Sequence, residues 1–142
     1  MKYEIVIGLE THVRVGSITK MFGGEPNAVA LERDPNINIW PVSLGLPGAL
    51  PILSEGVVDL AVRASHGLRM TVNTFSQFDR KSYFYPDLPM GYQITQLFHP
   101  ISEHGYLDAF VGEELKRFKI RRIHIEADAG GSKHSVTKSL ID

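Results

Sequence analysis

The chain has 142 residues, 43% hydrophobic and 22% charged, which is the profile of a globular domain with room for one core. Fifteen Lys and Arg against sixteen Asp and Glu leave a net charge of −1, which excludes a domain that binds nucleic acid chiefly through overall basicity; any contact with RNA must be local. The absence of cysteine excludes disulfides, thiolate zinc sites and a cysteine nucleophile together.

The chain opens on MKYEIVIGLETHV, without the basic segment and cleavage site of a signal peptide. No apolar run approaches the roughly 20 residues of a membrane span, so the expectation is a cytoplasmic protein with no membrane contact. From Tyr3 to Val15 the pattern alternates. Tyr3, Ile5, Ile7, Leu9, Thr11, Val13 and Val15 fall on one face; Glu4, Val6, Gly8, Glu10, His12 and Arg14 fall on the other. That predicts a strand with an apolar face on the core. Glu10 and His12 would project side by side, about 6–7 Å apart. A solvated edge is the plain reading of such a pair; a carboxylate and an imidazole converging on one ion is the functional one.

Residues 16–51 are rich in Gly, Pro and Asn and long for a connection without structure, which marks them as functional or tied down. Within them LGLPGALP, residues 44–51, is a turn sequence able to bring backbone amides to a ligand, although it matches no nucleotide-binding signature. Residues 54–68 predict a helix with Ser54 as N-cap, Gly67 as C-terminal stop, a buried stripe of Val57, Val58, Ala61, Ala64 and Leu68, and an exposed Asp59–Arg63 pair. His66 reads as a partner of the helix dipole.

The next stretch, FDRKSYFYPDLPMGYQITQ at 78–96, is the most aromatic of the chain. Pro86 and Pro89 forbid a central strand there, so it reads as a loop with Phe78 and Phe84 tucked into the core. Residues 93–98 predict a short strand. Residues 106–111 and 115–126 predict an antiparallel pair turning at Gly112-Glu113-Glu114. Arg122, His124, Glu126 and Asp128 share a parity at the end of the second arm. The tail, 132–142, is polar and ends without a stop signal such as a cap or a Pro/Gly cluster.

Two polar strand ends, Glu10/His12 and His124/Glu126/Asp128, make one site if the strands lie together. Carboxylates with an imidazole suit Mg²⁺ or Mn²⁺ better than zinc. A carboxylate site of that kind without a P-loop points to phosphoryl transfer by positioning and charge neutralisation.

Several stretches resemble one family in order and spacing: YEIVIGLETHV at 3–13, KMF at 20–22, EPN at 25–27, LGLPGALP at 44–51, FDRKSYFYPDLPMGYQITQ at 78–96, ISEHGYL at 101–107 and RIHIEADAG at 122–130. The chain is similar from end to end to the N-terminal catalytic (cradle) region of the B subunit of the aspartyl/glutamyl-tRNA(Asn/Gln) amidotransferase, the GatB family. The resemblance implies an α+β fold on a largely antiparallel sheet, likened to glutamine synthetase. It implies ATP- and Mg²⁺-dependent phosphorylation of the side-chain carboxylate of Glu-tRNA(Gln) or Asp-tRNA(Asn), then amidation by ammonia. The implied partners are the misacylated tRNA, a glutaminase (A) subunit that makes the ammonia and a small (C) subunit that braces the heterotrimer. Carried over by position, Glu10 and His12 match the metal-site pair, with Glu126 and Asp128 as further acids of that site. Glu10, His12 and Glu126 are the expected catalytic set. Arg80, Lys81, Tyr83 and Tyr85 are expected contacts for ATP or the tRNA end.

The chain departs from the family in four places. Ala127 stands where the family has an acid, so Glu126 and Asp128, on the same strand parity, are expected to carry the site. The four zinc-binding cysteines of many members are missing around Phe22–Glu25 and Trp40–Ser43, so no zinc is expected and Trp40 is expected to replace that staple by packing. Ser82 and Met90 stand where Asn and Lys are usual. Residues 1–142 would be the N-terminal portion of the catalytic domain, a fragment not expected to transamidate alone. The alternative is a catalytically degenerate or truncated relative serving as a binding or assembly module.

Overall fold

The computed structural model describes residues 2–27 and 34–142. Residues 28–33, inside the irregular stretch expected at 16–51, and Met1, the first residue of the expected 1–142 unit, lie outside the described residues. The fold is α+β: among the described residues it has one helix, α1 (Glu55–Gly67), and seven strands paired antiparallel throughout. These are β1 (Thr71–Val72), β2 (Asp79–Ser82), β3 (Tyr92–Thr95), β4 (Ser102–Val111), β5 (Glu114–Ile123), β6 (Ser132–His134) and β7 (Ser139–Ile141). They form a three-stranded sheet in the order β1-β4-β5 and two hairpins, β2-β3 and β6-β7.

Helix α1 begins where expected. Ser54 has extended backbone angles and its carbonyl accepts from Val57 and Val58, while its hydroxyl accepts from Thr19 instead of capping the helix. Asp59 and Arg63 pair at 2.8 Å on the exposed face. The buried stripe is Val57, Ala61 and Ser65, and Ala64 is exposed. Ser65 takes the core position because its hydroxyl has two partners, the Ala61 carbonyl at 2.8 Å and Ser102 Oγ at 2.7 Å, so burial leaves no polar atom unpaired. Gly67 is the last helical residue, not the stop beyond it. The left-handed position falls on Arg69 (φ 54°), and Met70 N closes back on the Ser65 carbonyl.

The β4–β5 hairpin matches its prediction, with Gly112 (φ 65°) supplying the turn. Asp108 on β4 takes two hydrogen bonds from Arg117 opposite, at 2.7 and 2.9 Å, which holds its carboxyl below the usual range. A lowered folded value means that the pair contributes above the ordinary carboxylate pKa and is lost as the pH falls through the lowered one.

Three readings are corrected. The aromatic stretch is no irregular loop: it is the β2–β3 hairpin, with both prolines in the connection 83–91, where no ladder N–H is needed. Phe78 packs edge-on against Phe22 at 5.2 Å, but Phe84 is 86% exposed. The polar tail forms the β6–β7 hairpin. The strand expected at 3–15 is not formed: these residues join no strand ladder among the described residues, and Ile5, Ile7 and Leu9 face solvent instead of the core. An alternating sequence becomes a strand only when a neighbour takes its backbone groups.

The core cluster nearest the polar residues is Phe22, Val42 and Ile94, with Met21, Ala49, Phe78, Met90, Tyr92 and Ala127 against it. The turn at 44–51 spends its amides internally: Gly45 N donates to Val42 O and Leu46 N to Pro41 O. A side chain on Gly45 (φ 66°) would sit 2.9 Å from Met90 Cα, so this turn backs the 83–91 connection.

Candidate catalytic site

The site assembles where the N-terminal segment meets residues 124–128. Those five residues follow β5 and are held by β3 from the other side. Ala127 N donates to Ile94 O at 2.8 Å, Gln93 Nε2 to Ala127 O at 2.8 Å, and Ile125 N to Gln96 Oε1 at 3.1 Å. Gln96 is almost fully buried and its amide also donates to Ser76 Oγ at 2.7 Å, so this clamp is fixed in place. Ala127 turns its methyl onto the core cluster, which leaves Glu126 on the opposite side.

Glu126 is the hub. Its Oε2 accepts from Thr95 Oγ1 at 3.0 Å and lies 3.4 Å from His124 Nε2, while its Oε1 lies 3.4 Å from His12 Nδ1. His12 Nε2 in turn is 3.4 Å from Glu10 Oε1. Two residues along on each segment, Arg14 Nη2 binds Asp128 Oδ2 at 3.1 Å. The pairs 12–126 and 14–128 step in the same direction, so the N-terminal segment runs parallel beside residues 124–128.

Glu10, His12 and Glu126 are thus brought together, with His124 completing the row. Asp128 lies on the same side but is exposed and faces Arg14, not Glu126. Thr95 and Gln96 were not singled out in the sequence. Their signal was present in YQITQ, where Thr95 alternates with the apolar Ile94 and so faces the polar side of β3.

The aromatic hairpin flanks this row. Register pairs Lys81 with Gln93 and Asp79 with Thr95, placing Lys81 on the sheet face from which Gln93 and Thr95 reach residues 126–127. Arg80 is on the other face, its guanidinium 4.6 Å from the centre of the Tyr92 ring. Tyr83 Oη donates to Asp87 Oδ2 at 3.5 Å; partial burial first, and then that carboxylate, holds its phenol above the usual range. Tyr85 is half exposed beside Tyr83, with ring centres 6.3 Å apart. The connection docks on the turn after Asp128 through Gly130 N, which donates to Asp87 O at 2.8 Å.

By chemistry, two carboxylates and an imidazole suit a hard divalent cation. Among the described residues no three His, Asp or Glu side chains converge on one point; they touch in sequence, with His12 lying between Glu10 and Glu126. A cation held by all three would need the exposed His12 ring to swing out from between the two carboxylates and turn a nitrogen toward the ion. Away from the row, Trp40 covers Gly23 and Gly24, where added side chains would meet its ring at 2.8 and 2.9 Å. Trp40→Ala is expected to cost about 2 kcal/mol for a ring still partly exposed, read as a lower midpoint in thermal unfolding.

Comparison with known proteins bears on what the row belongs to. The family model described as the GatB/GatE catalytic domain matches residues 5–142. The B subunit of an aspartyl/glutamyl-tRNA(Asn/Gln) amidotransferase from Elusimicrobium minutum is 48% identical over 141 residues, covering 99% of this chain and 29% of that protein. The B subunits from Staphylococcus carnosus and Staphylococcus aureus are 48% and 46% identical over 142 residues, covering all of this chain and 30% of each relative. The chain spans about three tenths of the length of these relatives. A match across nearly the whole chain at this identity shows that the chain belongs to the GatB family.

Proposed function

We propose that this chain is the N-terminal part of the carboxylate-activating centre of a tRNA-dependent amidotransferase. In this reading the side-chain carboxylate of Glu-tRNA(Gln) or Asp-tRNA(Asn) is phosphorylated from ATP. Ammonia from a glutaminase subunit then displaces the phosphate, giving the amide. The observation that carries the proposal is the row Glu10–His12–Glu126–His124, drawn from opposite ends of the chain and pinned by Thr95.

Glu10, His12 and Glu126 are the residues that would hold Mg²⁺, with Asp128 available if it exchanges Arg14 for the ion. The ion's chemistry there is to neutralise phosphoryl oxygens during transfer. Thr95 and His124 fix the Glu126 carboxylate in one orientation, so less reorganisation is needed when charge develops. Lys81, on the face shared with Thr95, is placed to meet a phosphate; Tyr83 donates its phenolic proton; Tyr85 and Arg80 border the same loop. The chain acts with the glutaminase subunit, the small bracing subunit and the misacylated tRNA, in the cytoplasm.

A second reading, a degenerate assembly module, draws on Ala127, which supplies a methyl to the core where the resemblance leads one to expect an acid. One assay separates them. The full-length protein with its glutaminase and small subunits, ATP, Mg²⁺, glutamine and Glu-tRNA(Gln) is expected to yield Gln-tRNA(Gln). Complexes that assemble yet form no amidated product with either misacylated tRNA would sink the enzyme reading and leave the module.

A further inference from the structure

The cations of this chain are not spread evenly, and their largest concentration lies away from the acidic row. On β5 the alternate residues Arg117, Lys119 and Arg121 share a parity, and their neighbours on β4 include Tyr106, opposite Lys119, and Asp108, opposite Arg117. Arg117, Lys119, Arg121 and Tyr106, together with His104, line a concavity of about 450 Å³. Arg69, at the left-handed position after α1, joins from the helix side. Its guanidinium lies 5.1 Å from the centre of the Tyr106 ring, and that of Arg117 lies 3.9 Å from it.

One ring thus holds two guanidinium groups in place. A planar cation already stacked loses less freedom when it binds a phosphate than a solvated side chain would. Among the described residues the ion pair within this face is Asp108 with Arg117, and the Asp108 charge is also felt by Arg69. Arg69, Lys119 and Arg121 have no ion pair among the described residues. In a chain of net charge −1, such a local surplus is the arrangement that near-neutral composition requires of any RNA contact. Cations at alternate strand positions stand about 6–7 Å apart, comparable to the separation of successive phosphates along a strand.

We infer that the Arg69–Tyr106–Arg117–Lys119–Arg121 face of the β4–β5 hairpin is a docking surface for the RNA phosphate backbone. The choice of RNA over an acidic protein rests on the amidotransferase reading above, in which the substrate is a tRNA. The contact fixes position, not base sequence, since every element of the face is a charge or a hydrogen-bond donor suited to phosphate.

The test uses full-length protein assembled with its partners and unmodified tRNA as the probe, titrated over a range of salt. Lys119→Gln/Arg121→Gln is expected to weaken binding roughly tenfold at low salt and to reduce the slope of log K against log salt by about 1.4–1.8, the loss of two phosphate contacts. Both side chains are exposed, so the fold should survive. Lys133→Gln/Lys138→Gln on the distant β6–β7 hairpin is the matched charge control, expected to leave affinity and slope as in the wild type. Unchanged affinity and slope in the first variant overturn the proposal. Loss of a protein partner with tRNA affinity intact also overturns it and assigns the face to protein contact. Wild-type protein that binds tRNA through this face but forms no amidated product overturns the amidotransferase reading and leaves the docking surface standing.

Discussion

Glu126→Gln is expected to lower turnover of the proposed amidation by roughly 10²–10³-fold while leaving the fold in place. Glutamine keeps the shape of glutamate, and its carbonyl can still accept the Thr95 hydroxyl now bound at 3.0 Å. What it removes is the charge that His12 and His124 approach at 3.4 Å from two directions, and with it the central anionic donor for a cation. Mg²⁺ titration of the same variant is the decisive measurement, because a residue that only orients its neighbours would slow turnover without moving Mg²⁺ affinity. Unchanged Mg²⁺ binding would remove Glu126 from the ligand set. Asp128→Asn should cost much less, since its exposed carboxylate pairs with Arg14 in high dielectric, where such a pair is worth about 0–1 kcal/mol.

The parity that singled out Glu126 shows what could be read before any coordinates. Strand alternation placed Glu10 with His12, and Glu126 apart from Ala127; both relations hold, because alternation is local and survives even where the ladder itself ends at Ile123. Helix α1 and the β4–β5 hairpin were legible for the same reason, each carrying a complete local signal of periodicity and turn chemistry. Features that depend on distant partners were not. Ser65 entered the buried stripe only because Ser102, 37 residues on, supplies its hydrogen bond. The β2–β3 hairpin hid behind Pro86 and Pro89, which forbid a strand at their own positions and say nothing of the residues on either side. The segment beginning at Tyr3 carries the pattern of a half-buried strand, yet burial of its apolar face needs a neighbour that the described residues do not provide. Asp128 went to Arg14 because a charge 3.1 Å away outweighs a shared parity.

Gly105→Ala is expected to be strongly damaging, at about 3 kcal/mol or a fall of roughly 10 °C in the thermal midpoint. A Cβ on Gly105 would overlap Met70 Cγ and stand 2.6 Å from the Leu68 carbonyl oxygen. The methionine can move; the carbonyl cannot, since it accepts the Tyr106 amide at 3.0 Å and so ties the end of α1 to β4. Shifting that bond would also loosen Met70, whose sulfur lies 3.6 Å from the buried Ser102 hydroxyl, and through Ser102 the contact with Ser65. Gly67→Ala gives the contrast: nothing lies within 4 Å of its added methyl, and the residue is helical, so stability should rise by about 0.5–1 kcal/mol. The double substitution Gly105→Ala/Met70→Ala separates the two obstacles. If the side chain were the whole cause, trimming Met70 would restore what Gly105→Ala removes, apart from the cavity it leaves. Because the fixed carbonyl remains, the double variant is expected to stay well below Met70→Ala alone, and thermal unfolding followed through Trp40 fluorescence reads the difference directly.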